Sequence, residues 1–188
     1  MPFSDGSSAS PFSPTVVVTG HNSKGQAMVQ NSYECPEKVF PNHAFTNHHL
    51  YSTSSMPVDL NEDADVNKHQ EWVSAEKVGI TIKNGTVCRY VNLAPGHTPL
   101  SHRTQSLDFG VVTDGSVMME LDDGSKTLLK RGDVVVQRGT MHAWSNPSQT
   151  EWARMVFFLQ DCLPLKGVKE DLEHSNGLEQ LFSKTHDE

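Results

Sequence analysis

Two histidines and an aspartate stand where a shared site can form. His102 and Asp108 lie in GHTPLSHRTQSLDFGVVTDG, residues 96–115, and His142 lies in GDVVVQRGTMHAWSN, residues 132–146. Imidazole titrates closest to neutrality among side chains and is the commonest mover of protons in enzymes. Two imidazoles and a carboxylate are also a donor set for one divalent ion, iron, manganese or zinc. His102, Asp108 and His142 could act in either way if the fold brings them to one place, and a metal-free site is equally open. Thr104, beside His102, offers a hydroxyl that donates or accepts a hydrogen bond but is a poor ligand where imidazole is wanted. Asp108 has a competing role, accepting from an inward imidazole and fixing its tautomer.

The elements that must position these groups read as short strands. From Gly79 onward, ITIK and TVCRYVNL flank the Asn84-Gly85 turn signal as a hairpin. LDFGVV, SVMMEL, KTLLK, DVVVQR, HAWSN and WARMVFFLQ follow, broken by DG, DDGS, RGD, RG and NPS. Runs of this length and spacing predict an all-β sandwich or barrel. Alternate residues of a barrel strand point inward, so His102, Thr104, Ser106 and Asp108 share one face if the strand runs unbroken, and Arg103 points the other way. Arg154 shares parity with Trp152, Val156 and Phe158. An inward Arg there would pair with a buried acid or hold a substrate carboxylate, and an outward charge near the strand end is the competing reading. Met118, Met119, Met141 and Met155, with Trp144, Phe157 and Phe158, supply either an adaptable apolar cavity or ordinary core packing.

The chain of 188 residues suits one domain with residues left over for arms, and its net charge is −8. No run of Lys or Arg offers a footprint for phosphates, which excludes nucleic acid and anionic membrane as expected partners. Cys35, Cys88 and Cys162 are widely spaced and odd in number, as in a reducing compartment, and the N-terminus has no signal-peptide pattern. A cytoplasmic protein is expected. Residues 1–14 are rich in Ser, Pro and Gly and read as a disordered tail. Residues 15–78 form an N-terminal arm: TVVVTG and QAMVQ make a β-hairpin, HLYSTS a strand, and NEDAD, residues 61–65, a solvated acidic loop. Such an arm packs on the barrel or on a partner subunit, so a homodimer through the arm is the expected assembly. Residues 79–162 form the barrel and 163–188 a short C-terminal helical tail carrying Leu172, Leu178, Leu181 and Phe182.

Residues 96–115 and 132–146 together resemble the paired motifs of the cupin superfamily. The first motif places a Gly at Gly96, its two histidines at His102 and Thr104, its acid at Asp108 and its closing Gly at Gly115. The second places its Gly at Gly132, its Pro at Gln137, an inner Gly at Gly139, its His at His142 and its Asn at Asn146. The resemblance implies a double-stranded β-helix, or jelly-roll barrel, like that of small single-domain cupins of bacteria and filamentous fungi, some of them in natural-product pathways. It is strong over residues 79–162. Gly115 and Gly132 are expected to serve backbone turns, and Asn146 to satisfy backbone groups at its strand end.

The expected function is a small-molecule enzyme acting on a polyketide-like or cyclic oxygenated metabolite by dehydration, isomerisation or decarboxylation. All three need proton removal beside a carbonyl while its oxygen is stabilised. His102 or His142 would exchange the proton and Asp108 would orient it, with or without a divalent metal polarising the carbonyl. Thr104, Met118, Trp144, Arg154 and Phe158 are the expected cavity residues. The alternatives are a non-haem Fe(II) dioxygenase using His102, Asp108 and His142, and a non-catalytic binding cupin, which Thr104 in place of His favours.

Overall fold

The computed structural model describes residues 10–40, 45–76, 78–97 and 99–167. Its centre is the strand Ala153–Asp161, in which Ala153, Met155, Phe157 and Leu159 are buried and alternate with more exposed residues. Both of its edges are used, so the apolar run sits in mid-sheet.

In chain order the strands are β1 (Thr15–His21), β2 (Ala27–Glu34), β3 (Glu37–Phe40), β4 (Phe45–Ser52), β5 (Thr86–Leu93), β6 (Ser106–Asp114), β7 (Ser116–Leu121), β8 (Lys126–Lys130), β9 (Val134–Arg138), β10 (His142–Ser145) and β11 (Ala153–Asp161). A six-stranded sheet has the order β3-β4-β5-β11-β6-β9, and a three-stranded sheet the order β10-β7-β8. Val117, Leu129 and Trp144 of the smaller sheet meet Leu93, Val112, Met155 and Phe157 of the larger in one apolar core. The two antiparallel sheets thus close as the all-β jelly-roll barrel expected. Gly110 leaves room for its two cross-strand neighbours in the larger sheet, since a Cβ there would lie 2.8 Å from both the Phe157 ring and Val135. Gly115, at φ +66°, turns β6 into β7 where a Cβ would meet the Trp152 carbonyl oxygen at 2.8 Å.

Several local expectations change. ITIK forms no strand: β5 already pairs with β4 on one edge and β11 on the other, so no edge remains for a hairpin with it. Ile80, Thr81 and Ile82 instead form a buried or half-buried loop. Residues 37–40 and 45–52, read from sequence as arm, supply the strands β3 and β4 of the larger sheet. The acidic stretch from Asn61 begins a 3-10 turn followed by a helix, α1 (Ala64–Ser74), whose only buried residue is His69. With one inward residue in eleven, α1 has no apolar stripe for sequence periodicity to detect. It is held by polar contacts, Tyr51 Oη donating to Asp65 Oδ2 at 2.7 Å and Ser52 Oγ lying 3.1 Å from His69 Nδ1. The hairpin β1–β2 makes its own two-stranded sheet. The expected C-terminal helix lies outside the described residues, as do residues 1–9.

Candidate active site

His102 and His142 are joined through their backbones. Each donates its N–H to the other's carbonyl at 2.9 Å, an isolated bridge that ties the loop after β5 to the start of β10. The imidazole centroids lie 4.2 Å apart. His102 Nδ1 is 3.0 Å from the Leu100 carbonyl and His142 Nδ1 is 2.9 Å from that of Thr140. A carbonyl only accepts, so both rings carry their proton on Nδ1 and keep a lone pair on Nε2. Burial lowers the pKa of both, and that of His142 falls to about 3, with the neighbouring His102 ring adding to the effect. Both imidazoles are therefore neutral near pH 7.

Asp108 is 2% exposed on the inner face of β6. The β6–β9 register sets Gln137 opposite it, and Gln137 Nε2 donates to Asp108 Oδ2 at 2.8 Å. Asp108 Oδ1 has no hydrogen-bond partner among the described residues. Burial pushes its carboxyl up to about 6, against the opposing pull of the Ser106 hydroxyl and the Gln137 amide. A group titrating there can both take and return a proton near neutrality.

On β5, which β11 separates from β6 in the same sheet, Arg89 is buried on the parity of Val87, Val91 and Leu93. It donates through Nη1 to Asn47 Oδ1 at 3.2 Å and through Nη2 to the Gly79 carbonyl. Burial lowers its pKa to about 10, which leaves it a cation. His102, Asp108, His142, Arg89 and Gln137 all line one cavity of about 110 Å³, whose apolar wall includes Phe45, Trp144 and Phe157. A cavity of ~150 Å³ admits a benzene ring, so this smaller space takes the edge of a ring or a fragment smaller than one.

A family model described as Cupin domain matches residues 89–158. Over 155 residues the chain is 39% identical to phomopsin biosynthesis cluster protein C' of Diaporthe leptostromiformis, covering 81% of each chain. The chain belongs to the cupin superfamily. It is also 34% identical over 151 residues to a cupin-domain-containing oxidoreductase of Hypocrea virens, covering 79% of this chain and 76% of that one. Among solved structures, an RmlC-like cupin from Shewanella frigidimarina aligns with a TM-score of 0.44 at 10% identity, over 68% of this chain and 85% of that one.

Within this cupin the motif residues behave unequally. The strand expected to run through His102, Thr104, Ser106 and Asp108 is broken: β6 starts at Ser106, whose N–H turns back to the Thr104 carbonyl. His102, Thr104 and Asp108 still reach the cavity, and Trp144 packs edge-on to His142 with 5.7 Å between centroids. Two imidazole Nε2 atoms suit a divalent metal, because a ring that gives Nδ1–H to a carbonyl is held as metal-bound imidazoles are. A third donor is not brought to them: no group of three His, Cys, Asp or Glu among the described residues could hold a metal ion. Asp108 is tied to Gln137, not to either imidazole. The set His102, Asp108 and His142 therefore does not fit a three-ligand centre in this arrangement.

Three expected cavity residues lie elsewhere. Arg154 and Phe158 are on the outer face of β11, Phe158 being 44% exposed, and Arg154 donates to Asn92 Oδ1 between the rings of Phe12 and Tyr90. WARMVFFLQ is apolar on both parities, so its inward set could not be chosen from sequence. Met118 is half-buried on β7 opposite Leu128 and Ser145 and does not line the cavity. Arg89, Asn47 and Gln137 were missed. The signal for Arg89 was a cation on the apolar parity of TVCRYVNL, and for Gln137 a polar residue in place of the motif's Pro. Asn146 caps its strand as expected, donating to the Leu93 and Glu151 carbonyls at 3.0 and 2.7 Å.

No helix among the described residues is long and apolar enough to cross a membrane.

Proposed function

We propose that this cupin is a lyase or isomerase of small cyclic oxygenated metabolites, with Asp108 as the proton-transfer group. The observation that carries the reading is a carboxylate with one unpartnered oxygen, Asp108 Oδ1, on a residue that lines an apolar-walled cavity together with a buried cation, Arg89. Magnitudes support this division of roles. At pH 7 an imidazole with a pKa of about 3 is protonated roughly one part in ten thousand, while a carboxyl near 6 keeps roughly a tenth of its protons. The motif favours His102 and His142 as proton carriers; their burial supports Asp108 in that role instead.

In the proposed step a C–H beside a substrate carbonyl gives its proton to Asp108 Oδ1. The electron pair moves onto the carbonyl oxygen, whose charge Arg89 stabilises. Asp108 then returns the proton to another carbon in an isomerisation, or to a departing hydroxide, released as water, in a dehydration. The neutral Nε2 atoms of His102 and His142 accept hydrogen bonds from substrate hydroxyls and fix the ring against Trp144. Relatives in fungal biosynthesis clusters support a natural-product metabolite as substrate.

The redox reading draws on the name of the Hypocrea virens relative and on the paired Nε2 atoms. A metal held there by His102 and His142 would supply Lewis-acid or oxygen chemistry. The proton-transfer reading is tested by Asp108→Asn, which should lower turnover by ~10²-fold or more while substrate affinity changes little. Unchanged turnover would contradict it, and a binding cupin would show affinity with no turnover in either protein.

A further inference from the structure

Part of the cavity lining is a set of hydrogen-bond acceptors that meet no donor among the described residues. Asp108 is 2% and Gln137 4% exposed, and Asp108 Oδ1 and Gln137 Oε1 are both buried without a partner. A carboxylate only accepts, so the Gln137 amide turns its NH2 to Asp108 and keeps Oε1 as a second acceptor. His102 and His142 add two more. Each ring spends its Nδ1–H on a nearby carbonyl, and neither Nε2 is hydrogen-bonded among the described residues. The four residues adjoin: Gln137 stands opposite Asp108, Gly139 donates its N–H to the Ser106 carbonyl, and His102 and His142 exchange backbone hydrogen bonds.

Buried acceptors are costly to leave unmet, and displacing water from them favours a ligand that brings donors of its own. An ammonium or a pair of hydroxyls would do so. Arg89, a cation, lines the same cavity, which disfavours a second buried cation and leaves the hydroxyls. Their spacing follows from the imidazoles, whose centroids lie 4.2 Å apart and whose backbones fix one another. Hydroxyls on adjacent carbons stand a hydrogen-bond length apart, about 2.8 Å, so one such pair reaches both rings at once.

We propose that this part of the cavity is a vicinal-diol subsite, in which cis hydroxyls on adjacent carbons donate to His102 Nε2 and His142 Nε2, with Gln137 Oε1 open to a further hydroxyl. The proposed substrate, which rests on the proton-transfer reading, carries one hydroxyl on the carbon next to its carbonyl and the other one carbon farther. Asp108 Oδ1 takes the proton from the nearer carbon, and the electron pair passes to the carbonyl oxygen. It then returns to form a carbon–carbon double bond as the farther C–O bond breaks. The departing hydroxide takes the proton from Asp108 and leaves as water. The enol that remains tautomerises to a vicinal dicarbonyl, so the step balances without an oxidant.

The test measures binding without turnover, by chemical-shift titration of the protein as purified with the cis diol of cyclopentane, its hydroxyls on adjacent carbons, and with cyclopentanol. The diol should bind about tenfold tighter or more, with chelator present as without it. His102→Phe should bring the diol to within about threefold of cyclopentanol and leave cyclopentanol itself unchanged. If that variant fails to fold, His142→Phe serves in its place. Equal affinities in the parent overturn the proposal. So does a preference that survives the histidine variant, or one that chelator abolishes, which would put the diol on a metal ion. Asp108→Asn separates this subsite from the proton transfer: it should keep the diol preference within about threefold while turnover is lost. A parent that prefers the diol but exchanges no proton beside a carbonyl supports the subsite and sinks the proton-transfer reading, and exchange without the preference sinks the subsite alone.

Discussion

Gln137 Nε2 donates to Asp108 Oδ2 at 2.8 Å across the β6–β9 pair, and Oδ1 is left without a hydrogen-bond partner among the described residues. A hydrogen bond from a neutral amide favours the carboxylate over the acid, so Gln137 holds the Asp108 pKa below the value that burial alone would set. Gln137→Leu should raise that pKa by about one unit or less and move the corresponding limb of the pH–rate profile upward by the same amount. The loss of the buried bond should cost about 1–3 kcal/mol in urea unfolding. A profile that does not move would remove Gln137 from the chemistry.

The two arginines with opposite placements separate the cavity from the outer face. Arg89→Lys keeps a charge but loses the planar fork, and should lower turnover by ~10-fold or more. Arg154→Met should leave turnover within about twofold and destabilise the protein by about 1 kcal/mol, through loss of stacking on Phe12 and Tyr90. Steady-state kinetics and thermal unfolding on both variants decide the matter, and the reverse pattern would return Arg154 to the cavity.

Stability should depend on pH through two opposed groups. His142 has a folded pKa of about 3, below the ~6.5 of the unfolded chain, so the unfolded state binds more protons in acid. Its contribution is complete above ~6.5 and is lost as pH falls toward 3. Asp108, at about 6 against ~3.9 when unfolded, works in the other direction. The native state holds its proton longer, so stability falls as pH rises from ~4 through 6, by on the order of 2–3 kcal/mol. Urea unfolding from pH 4 to 8 should show His142→Gln with a flattened acid limb. Asp108→Asn should gain on the parent as pH rises, and parallel curves for parent and variants would refute both assignments.

Gly110→Ala should act on packing alone. Its Cβ would lie 2.8 Å from Phe157 and from Val135, so the ring must shift toward the cavity. A cost of about 1–3 kcal/mol in thermal unfolding is expected, with weaker substrate binding. A variant as stable as the parent would show that the Phe157–Gly110–Val135 row has slack.

Much of the barrel is legible in the sequence, because β5 to β11 combine short β-branched runs with DG, NG and RG turns. ITIK misleads, since a turn signal and an apolar run cannot reveal that both edges of β5 are already taken. Helix α1 is silent because polar bonds to Tyr51 and Ser52, not an apolar stripe, hold it in place. In the site, motif spacing brings out His102, Asp108 and His142, and the alternation of β5 contains Arg89 for a reader who asks why a cation sits among valines. Cross-strand register is what sequence withholds: it sets Gln137 opposite Asp108, and it turns Arg154 and Phe158 outward on a strand apolar on both sides.

The most direct test of the central claim follows solvent deuterium into carbonyl-bearing cyclic ketones and β-hydroxy ketones, using protein treated with chelator, beside Asp108→Asn. The proton-transfer account predicts deuterium at the carbon next to the carbonyl, undiminished by chelation and lowered ~10²-fold or more in the variant. Turnover that appears only when Fe(II) and oxygen are restored, with no exchange before, would contradict it and point to the redox chemistry named for the relative from Hypocrea virens.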